Sequence, residues 1–204
     1  MVIEILGAIK DVVLTATAVI GSIVALKGLS TWKRQITGQA NHSLSKNLLI
    51  SIFKYRDAVN AVRNPLMPIT QESLPEENEM LKMSPNETHF YSIRKSYQQR
   101  WEKVSETQPQ VYANLIEAEA IWGKDLITMW KSVREKEIDL RLALDDYLML
   151  INPNKDDDQN HKSGEEYKKL LKTVYWSGKN DVFREEFESK IDNMSAYIRE
   201  KLQG

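Results

Sequence analysis

Apolar residues follow two different patterns along the chain. Residues Val12–Leu26 contain no charged side chain, and a group of basic residues comes after them. Beyond about residue 40, apolar residues recur every three or four positions, which places them on one face of an α-helix. Prolines and glycines are few, at 6 and 8 in 204 residues, and no segment has the composition of a strand. The pattern predicts an all-α protein with an N-terminal membrane helix followed by a bundle of about five helices.

The uncharged run is too short to cross a membrane by itself. Its fifteen residues rise roughly 22 Å as a helix, against a hydrocarbon core of roughly 30 Å. Upstream apolar residues extend it to Ile3–Leu26, which is 24 residues interrupted only by the Lys10–Asp11 pair. The extended segment predicts a helix that spans a lipid bilayer. A buried helix of a soluble core and a cleaved signal peptide stay open as alternatives, although no basic region precedes the run.

Basic and aromatic residues mark the C-terminal edge of this segment. Lys27 is placed to extend its ammonium group towards water. Trp32, Lys33 and Arg34 are the residue types that anchor a helix at a membrane–water interface. From Lys27 to Arg63 there are seven basic residues and one acidic residue, whereas residues 64–204 carry a net negative charge. The positive-inside rule therefore predicts a single-pass protein with its N-terminus outside and its C-terminal domain in the cytoplasm.

Small residues recur along one side of the predicted membrane helix. Thr17, Gly21 and Ala25 are spaced four residues apart, and Gly28 follows three residues later. Such a stripe lets two helix backbones approach closely, which is how membrane helices associate. It predicts a homo-oligomer that packs through this face. The alternative is the ordinary composition of membrane helices, in which glycine and alanine are common.

The periodic part of the pattern predicts a helical bundle. We divide the chain into a membrane anchor with its basic collar at 1–38 and a bundle at 39–204, with surface loops at 64–83 and 152–163. A helix capped by Asn41 or Ser43 is predicted to run to about Arg63 and to bury one narrow row of side chains. That row consists of Leu48, Ile52, Tyr55, Val59 and Val62.

Local end signals define the later helices. The sequence "SPNE" at Ser84–Glu87 combines a capping serine, a proline at the first helical position and the glutamate of a capping box. Another helix is predicted to restart near Thr107–Gln110 and to reach Leu150, either with a break near Gly123 or as one long rod. Glu165–Trp176 and Asp181–Leu202 are predicted to be the last two helices.

No catalytic motif is recognised in the sequence. It contains no phosphate-binding glycine loop, zinc-binding helix or nucleophile elbow, and no cysteine. His42, His89 and His161 each lack a second histidine at helical spacing, so we predict neither a metal site nor a cofactor. The chain is therefore not expected to be an enzyme.

One polar stripe is a candidate ligand or partner contact. Arg56, Asn60 and Arg63 lie at positions i, i+4 and i+7, so they share one side of a helix. Two aligned guanidinium groups are suited to clamp a phosphate or a carboxylate. Two other hypotheses are pairing with glutamates of a neighbouring helix, such as Glu117 or Glu119, and contact with anionic lipid head groups. The net acidic body argues against general nucleic-acid binding.

The order of the segments resembles a known layout. The apolar start, "WKRQITGQA", "LLISIFKYRDAVNAVRNP" and "EAEAIWG" together resemble a group of uncharacterised bacterial proteins with one N-terminal membrane helix and a cytoplasmic helical domain. The resemblance implies a bacterial inner-membrane location and a helical fold, and it implies no catalytic residues. More loosely, the plan is similar to that of membrane accessory proteins of prokaryotic antiviral systems, some of which form rings.

Three hypotheses about function follow from the sequence. The first is a non-enzymatic, membrane-anchored scaffold, sensor or membrane-perturbing protein that self-associates through its N-terminal helix. The second is a HEPN-like, nucleic-acid-processing defence effector with a degenerate motif, since no arginine lies five to seven residues before any histidine. The third is a soluble helical adaptor whose first helix docks in the groove of a partner.

Overall fold

A computed structural model describes residues 2–66, 70–155 and 164–203 of the chain, and every regular element in these ranges is helical. The six α-helices are α1 (Val2–Val62), α2 (Glu77–Met80), α3 (Pro85–Trp122), α4 (Asp125–Ile151), α5 (Gly164–Val174) and α6 (Val182–Gln203), with one 3₁₀ turn at Gln71–Ser73. The predicted all-α fold is thereby confirmed for these residues. Side chains of α1 are described from Leu14 onwards.

The first helix is longer than the sequence predicts. The membrane helix and the helix expected to begin at Asn41 or Ser43 form one continuous helix of 61 residues, so the predicted boundary at these residues is wrong. The Asn41 side chain does not cap a helix; its Oδ1 accepts a hydrogen bond from Nε1 of Trp122 at 3.3 Å. No proline interrupts residues 2–62, so nothing in the sequence forces the helix to end.

The second half of α1 is the centre of the bundle. The predicted row Leu48, Ile52, Tyr55, Val59 and Val62 is buried, which confirms the helical periodicity of the sequence. Burial of each such side chain stabilises the fold by about 1.5–3 kcal/mol. The neighbours of α1 are α3 and α6, which pack along it more extensively than any other helix.

Helix α3 runs antiparallel to α1. Asn114 donates to Ser51 at 3.1 Å in the middle of the pair, and Arg100 donates to the carbonyl of Asn64 at 2.6 Å near its far end. Helix α6 is also antiparallel to α1. Asp181 bonds Arg63, and Phe187, which comes later in the chain, packs on Tyr55, which comes earlier in α1. The bundle therefore has one end at Asn41 and another at Arg63, about 33 Å apart along α1.

Of the end signals predicted beyond α1, two are confirmed and one is wrong. The Ser84 hydroxyl accepts from the backbone N–H of Glu87, whose carboxylate accepts from the backbone N–H of Ser84 at 2.8 Å, so the capping box is confirmed. Helix α3 ends at Gly123, where φ is +87°, which confirms the break near that residue. The restart predicted near Thr107–Gln110 is wrong, because α3 continues through Pro109 on its exposed side.

The remaining segments match the prediction with small shifts. Helices α5 and α6 lie within two residues of the predicted bounds at each end. The predicted loop at 64–83 includes the 3₁₀ turn and α2, and its residues 67–69 lie outside the described residues. Residues 156–163 of the predicted loop at 152–163 also lie outside them.

Candidate membrane anchor and the Arg63 cluster

The part of α1 that precedes the bundle is an exposed arm, which we define as Leu14–Ala40. Every residue of the arm is exposed, including large apolar side chains such as Val24 at 63% and Trp32 at 61% of their full accessibility. Among the side chains described for α1, burial in the hydrophobic core begins at Leu44. The arm therefore does not belong to the chain's own core, as a buried soluble helix would require.

The length of α1 is sufficient for a membrane span. Its backbone is helical throughout Ile3–Leu26, and 24 helical residues rise about 36 Å, compared with the roughly 30 Å hydrocarbon core. Among the described residues, α1 is the one helix long and apolar enough to cross a membrane. The apolar window that meets this criterion has no buried residue, which distinguishes it from the core helix of a soluble protein.

The predicted interfacial anchors lie together on the arm. Lys27, Lys33 and Arg34, which we call the collar, are exposed, and Trp32 lies among them. Within the described parts of the chain, none of the three collar residues forms a salt bridge. The collar therefore carries positive charge that no acidic side chain of these parts neutralises.

The small residues of the arm lie on an exposed part of α1. Thr17, Gly21, Ala25 and Gly28 are exposed, and a Cβ atom added at Gly21 or Gly28 would meet no atom within 4 Å. On a helix of 3.6 residues per turn, Gly21 projects from the side of the axis opposite to the buried row of α1, about 180° away on average. Nothing in the described bundle blocks the approach of another helix to this face.

Arg63 lies at the other end of the bundle and is buried. Its side chain is 2% exposed. Nε donates to the carbonyl of Thr173 at 2.7 Å, and Nη2 donates to the carbonyls of Lys172 and Tyr175 at 2.8 and 3.0 Å. The guanidinium thus binds the carbonyl groups at the C-terminal end of α5, where a positive charge is favoured by the helix dipole.

Asp181 completes what we call the Arg63 cluster. Its Oδ1 accepts from Nη2 of Arg63 at 2.9 Å and from the backbone N–H of Arg184 at 3.0 Å, which caps α6. The backbone N–H of Ser177 donates to its other oxygen at 3.2 Å. Burial alone raises the pKa of Asp181, but the hydrogen bonds from Arg63, Arg184 and Ser177 outweigh it, so the pKa lies below its ordinary value.

The predicted polar stripe is only partly brought together. Asn60 and Arg63 line a surface cleft of about 310 Å³, but Arg56 does not. Arg56 instead donates to the carboxylate of its neighbour Asp57 at 2.7 and 2.9 Å and lies over the ring of Phe53. The two arginines therefore do not form a common clamp in this arrangement.

The cations lining this cleft already have acidic partners. Arg63 is bonded to Asp181, and Arg184 donates to Glu188 at 2.8 Å while stacking over Trp176. Glu117 and Glu119 are not among the partners that the structure gives to Arg56 or Arg63 in the described ranges. The arrangement is suited to joining α1, α5 and α6.

A buried polar network links α1 to α4 and was missed from the sequence. Glu137 is 4% exposed, and its carboxylate accepts hydrogen bonds from the Tyr55 hydroxyl, from Nη1 of Arg134 and from the Gln108 amide. Burial and the nearby Glu137 charge raise the pKa of Tyr55. The signal available in the sequence was helical spacing, because position 137 continues the three- and four-residue steps of the apolar row of α4. That row consists of Trp130, Val133, Leu140 and Leu144, all of them buried.

A second missed group is a set of tyrosines next to Arg100. The hydroxyl of Tyr175 donates to that of Tyr147 at 2.6 Å, and the ring of Tyr97 packs edge-on against Tyr147. Burial raises the pKa of Tyr97 and of Tyr175 to about 12. Arg100 donates to the carbonyls of Asn64 and Leu66, each at 2.6 Å, just beyond the end of α1. Both missed groups hold helices together.

The described residues contain no group of three or more histidine, cysteine, aspartate or glutamate side chains that could hold a metal ion. His42 and His89 are both exposed, while His161 lies outside the described residues. Comparison of the chain with known protein families, with characterised proteins and with solved structures finds no match.

Proposed function

We propose that this protein is a single-pass membrane protein, a non-enzymatic scaffold or sensor that holds a helical bundle at a membrane surface. The observation that carries the proposal is the continuity of α1, whose exposed arm is apolar and whose second half is the buried centre of the bundle. Because no loop separates the two parts, a rotation or tilt of the anchor moves the bundle with it. If the apolar run were a cleaved signal peptide, its removal would cut this continuous helix.

The orientation follows from the collar. Positive charge next to a membrane helix favours the cytoplasmic side, so the bundle lies in the cytoplasm and the N-terminus outside. The resemblance to bacterial single-pass proteins supports the bacterial inner membrane as the location. The small-residue face of Thr17, Gly21, Ala25 and Gly28 supports self-association, because it is exposed and leaves room for a second copy.

Insertion is tested by placing charge in the arm. In the variant Leu14→Arg/Ala18→Arg, each arginine lies near the centre of the Ile3–Leu26 segment and costs about 2.5–3.5 kcal/mol. Both positions are exposed, so the bundle keeps its fold. The matched control is Ser43→Arg/Asn47→Arg, which places two arginines at the same spacing on the exposed side of α1 within the bundle.

We expect the unaltered chain and the control to stay in the membrane pellet after washing with alkaline carbonate, and the arm variant to be released. Circular dichroism of each purified protein checks that the helical content is equal. Release of the unaltered chain together with the arm variant would contradict the proposal and favour the soluble adaptor.

Orientation is tested with single cysteines, because the natural chain contains none. Val2→Cys and Thr37→Cys place one thiol before and one after the Ile3–Leu26 segment. A membrane-impermeant maleimide applied to cells with a permeable outer envelope is expected to label the first variant, and the second only after lysis. The reverse labelling would place the bundle outside.

A further inference from the structure

An unusual charge distribution surrounds the exposed arm. Between Asp11 and Asp57 the chain contains six lysines and arginines and not one aspartate or glutamate. These cations are Lys27, Lys33, Arg34, Lys46, Lys54 and Arg56. The collar therefore has no acidic neighbour along α1 between Asp11 and Asp57, and it forms no salt bridge in the described chain.

We infer that the collar is a binding surface for anionic phospholipid head groups. This inference rests on the proposed membrane anchor, because only an inserted helix brings the collar to the lipid surface. Lys27 and Arg34, seven residues apart, lie on one side of the helix, and Lys33 lies roughly a third of a turn away. The three cations thus face lipid over about a third of the circumference of the helix instead of forming one narrow stripe.

The position of the collar along α1 matches the depth of the head groups. If the hydrocarbon core ends between Leu26 and Leu29, Lys33 and Arg34 follow Leu29 by about 6–8 Å, which is within the interfacial layer. Trp32 lies at the same level, where its amphipathic ring is favoured. Each cation close to an anionic surface strengthens binding by about fivefold.

The other basic residues of α1 are too far away to take part. Lys46 follows Leu29 by about 26 Å and Arg56 by about 40 Å along an unbroken helix. Charge attraction is screened over about 8–10 Å at physiological ionic strength. The sequence suggested anionic lipid head groups as a contact of Arg56, Asn60 and Arg63. We assign this contact to Lys27, Lys33 and Arg34 instead.

The experiment uses Trp32 as a reporter within the full chain. The protein is reconstituted in vesicles of phosphatidylcholine with a minor share of phosphatidylglycerol, and bromine is placed on the acyl chains of one lipid or the other. Bromine quenches nearby tryptophan fluorescence, and subtracting the signal of Trp32→Phe removes the four tryptophans of the bundle. The collar variant is Lys27→Gln/Lys33→Gln/Arg34→Gln.

We expect brominated phosphatidylglycerol to quench Trp32 several-fold more than its share of the lipid predicts. The excess should disappear in the collar variant and at high salt. The matched control Lys46→Gln/Lys54→Gln/Lys131→Gln removes the same charge from exposed positions of the bundle and should keep the excess.

Quenching by both lipids in proportion to their amounts would overturn the lipid preference and leave the anchor intact. If neither lipid quenches Trp32 although the protein floats with the vesicles, a second copy covers the collar, which also overturns the inference. Protein that does not float contradicts the proposed anchor itself.

Discussion

The guanidinium of Arg63 and the carboxylate of Asp181 meet at 2.9 Å, and both side chains are almost completely buried. Arg63 immediately follows the helix that carries the proposed anchor, and Asp181 immediately precedes α6. Because Arg63 also binds three carbonyl groups at the end of α5, a single side chain joins three helices at the end of the bundle opposite the arm. Replacement of one partner of such a buried pair is expected to lower the free energy of unfolding strongly, because the other charge stays buried.

Replacement of Arg63 should destabilise the bundle strongly. In Arg63→Met the buried Asp181 carboxylate loses its cation and the carbonyls of α5 lose their donors, so the free energy of unfolding is expected to fall by about 3–5 kcal/mol. The control is Arg56→Met, which removes a partly exposed pair with Asp57 and a contact with the ring of Phe53, and should cost about 0–1 kcal/mol. Chemical unfolding in detergent micelles, followed by circular dichroism, gives both values.

A third variant keeps this comparison decisive if Arg63→Met does not fold. Arg63→Lys retains the charge, but an ammonium group has no planar fork to reach Asp181 and the carbonyls together, so an intermediate loss is expected. Equal free energies of unfolding for the Arg56 and Arg63 variants would show that the buried cluster stabilises the fold no more than the exposed pair does.

Acid should weaken the bundle through Asp181. Its pKa lies below the ordinary value in the folded chain, so its ionised form stabilises the fold above the unfolded pKa of about 3.8, and this contribution is lost as the pH falls through the lower, folded pKa. Asp181→Asn preserves the size of the side chain and its ability to cap α6, but it does not titrate. The difference in unfolding free energy between the two proteins should shrink as the pH falls from about 5 to 2.

The measurement is a series of chemical unfolding curves for both proteins across this pH range. Other carboxylates titrate in both proteins alike, so they cancel in the difference. If the difference in unfolding free energy stays constant down to the lowest pH, the ionised form of Asp181 does not stabilise the fold.

Two buried serines on α1 should respond to alanine in opposite directions. Ser45 is fully buried, and its hydroxyl has no hydrogen-bond partner among the described residues. Ser51 donates to the carbonyl of Leu48 at 2.9 Å and accepts from Asn114 at 3.1 Å. Ser45→Ala should raise the free energy of unfolding by about 0.5–1 kcal/mol, whereas Ser51→Ala should lower it by about 1 kcal/mol.

Each serine variant is the control for the other, because both substitutions are identical and lie six residues apart on one helix. Thermal and chemical unfolding of the full chain measure the two changes. A loss of stability on Ser45→Ala would mean that its hydroxyl has a partner, such as a buried water molecule, that supports it.

The sequence predicts those parts of the fold that depend on neighbouring residues. Helical periodicity identifies the buried row of α1, and the capping box at Ser84 and the break at Gly123 each act over a few residues. The predicted boundary at Asn41 failed because its side chain bonds Trp122, which lies 81 residues away in the chain. A local capping signal was overridden by a tertiary contact.

The roles of Arg56 and Arg63 could not be separated from the sequence for the same reason. Their helical spacing places them on one side of α1, yet Arg63 is buried by partners 109 to 118 residues further along, while Arg56 pairs with the next residue. Helical spacing places Glu137 in the buried row of α4, but the sequence does not show Tyr55, Arg134 and Gln108, the hydrogen-bond partners that allow its carboxylate to be buried.

Self-association of the anchor makes a prediction about Gly21. A leucine at this position meets nothing within the single chain, but it would separate two helices that approach closely at the small-residue face. Gly21→Leu is therefore expected to reduce the dimer or higher oligomer in a bilayer while leaving insertion and helical content unchanged. The control Ala16→Leu adds a comparable side chain to an exposed position about 140° around the helix from Gly21.

Cross-linking in membranes, or the loss of energy transfer between labelled copies on dilution with lipid, measures the oligomer. Because leucine is at least as apolar as glycine, weaker association cannot be attributed to poorer insertion. If both variants associate as well as the unaltered chain, the small-residue face is not the contact, and the spacing of Thr17, Gly21, Ala25 and Gly28 reflects only the composition of a membrane helix.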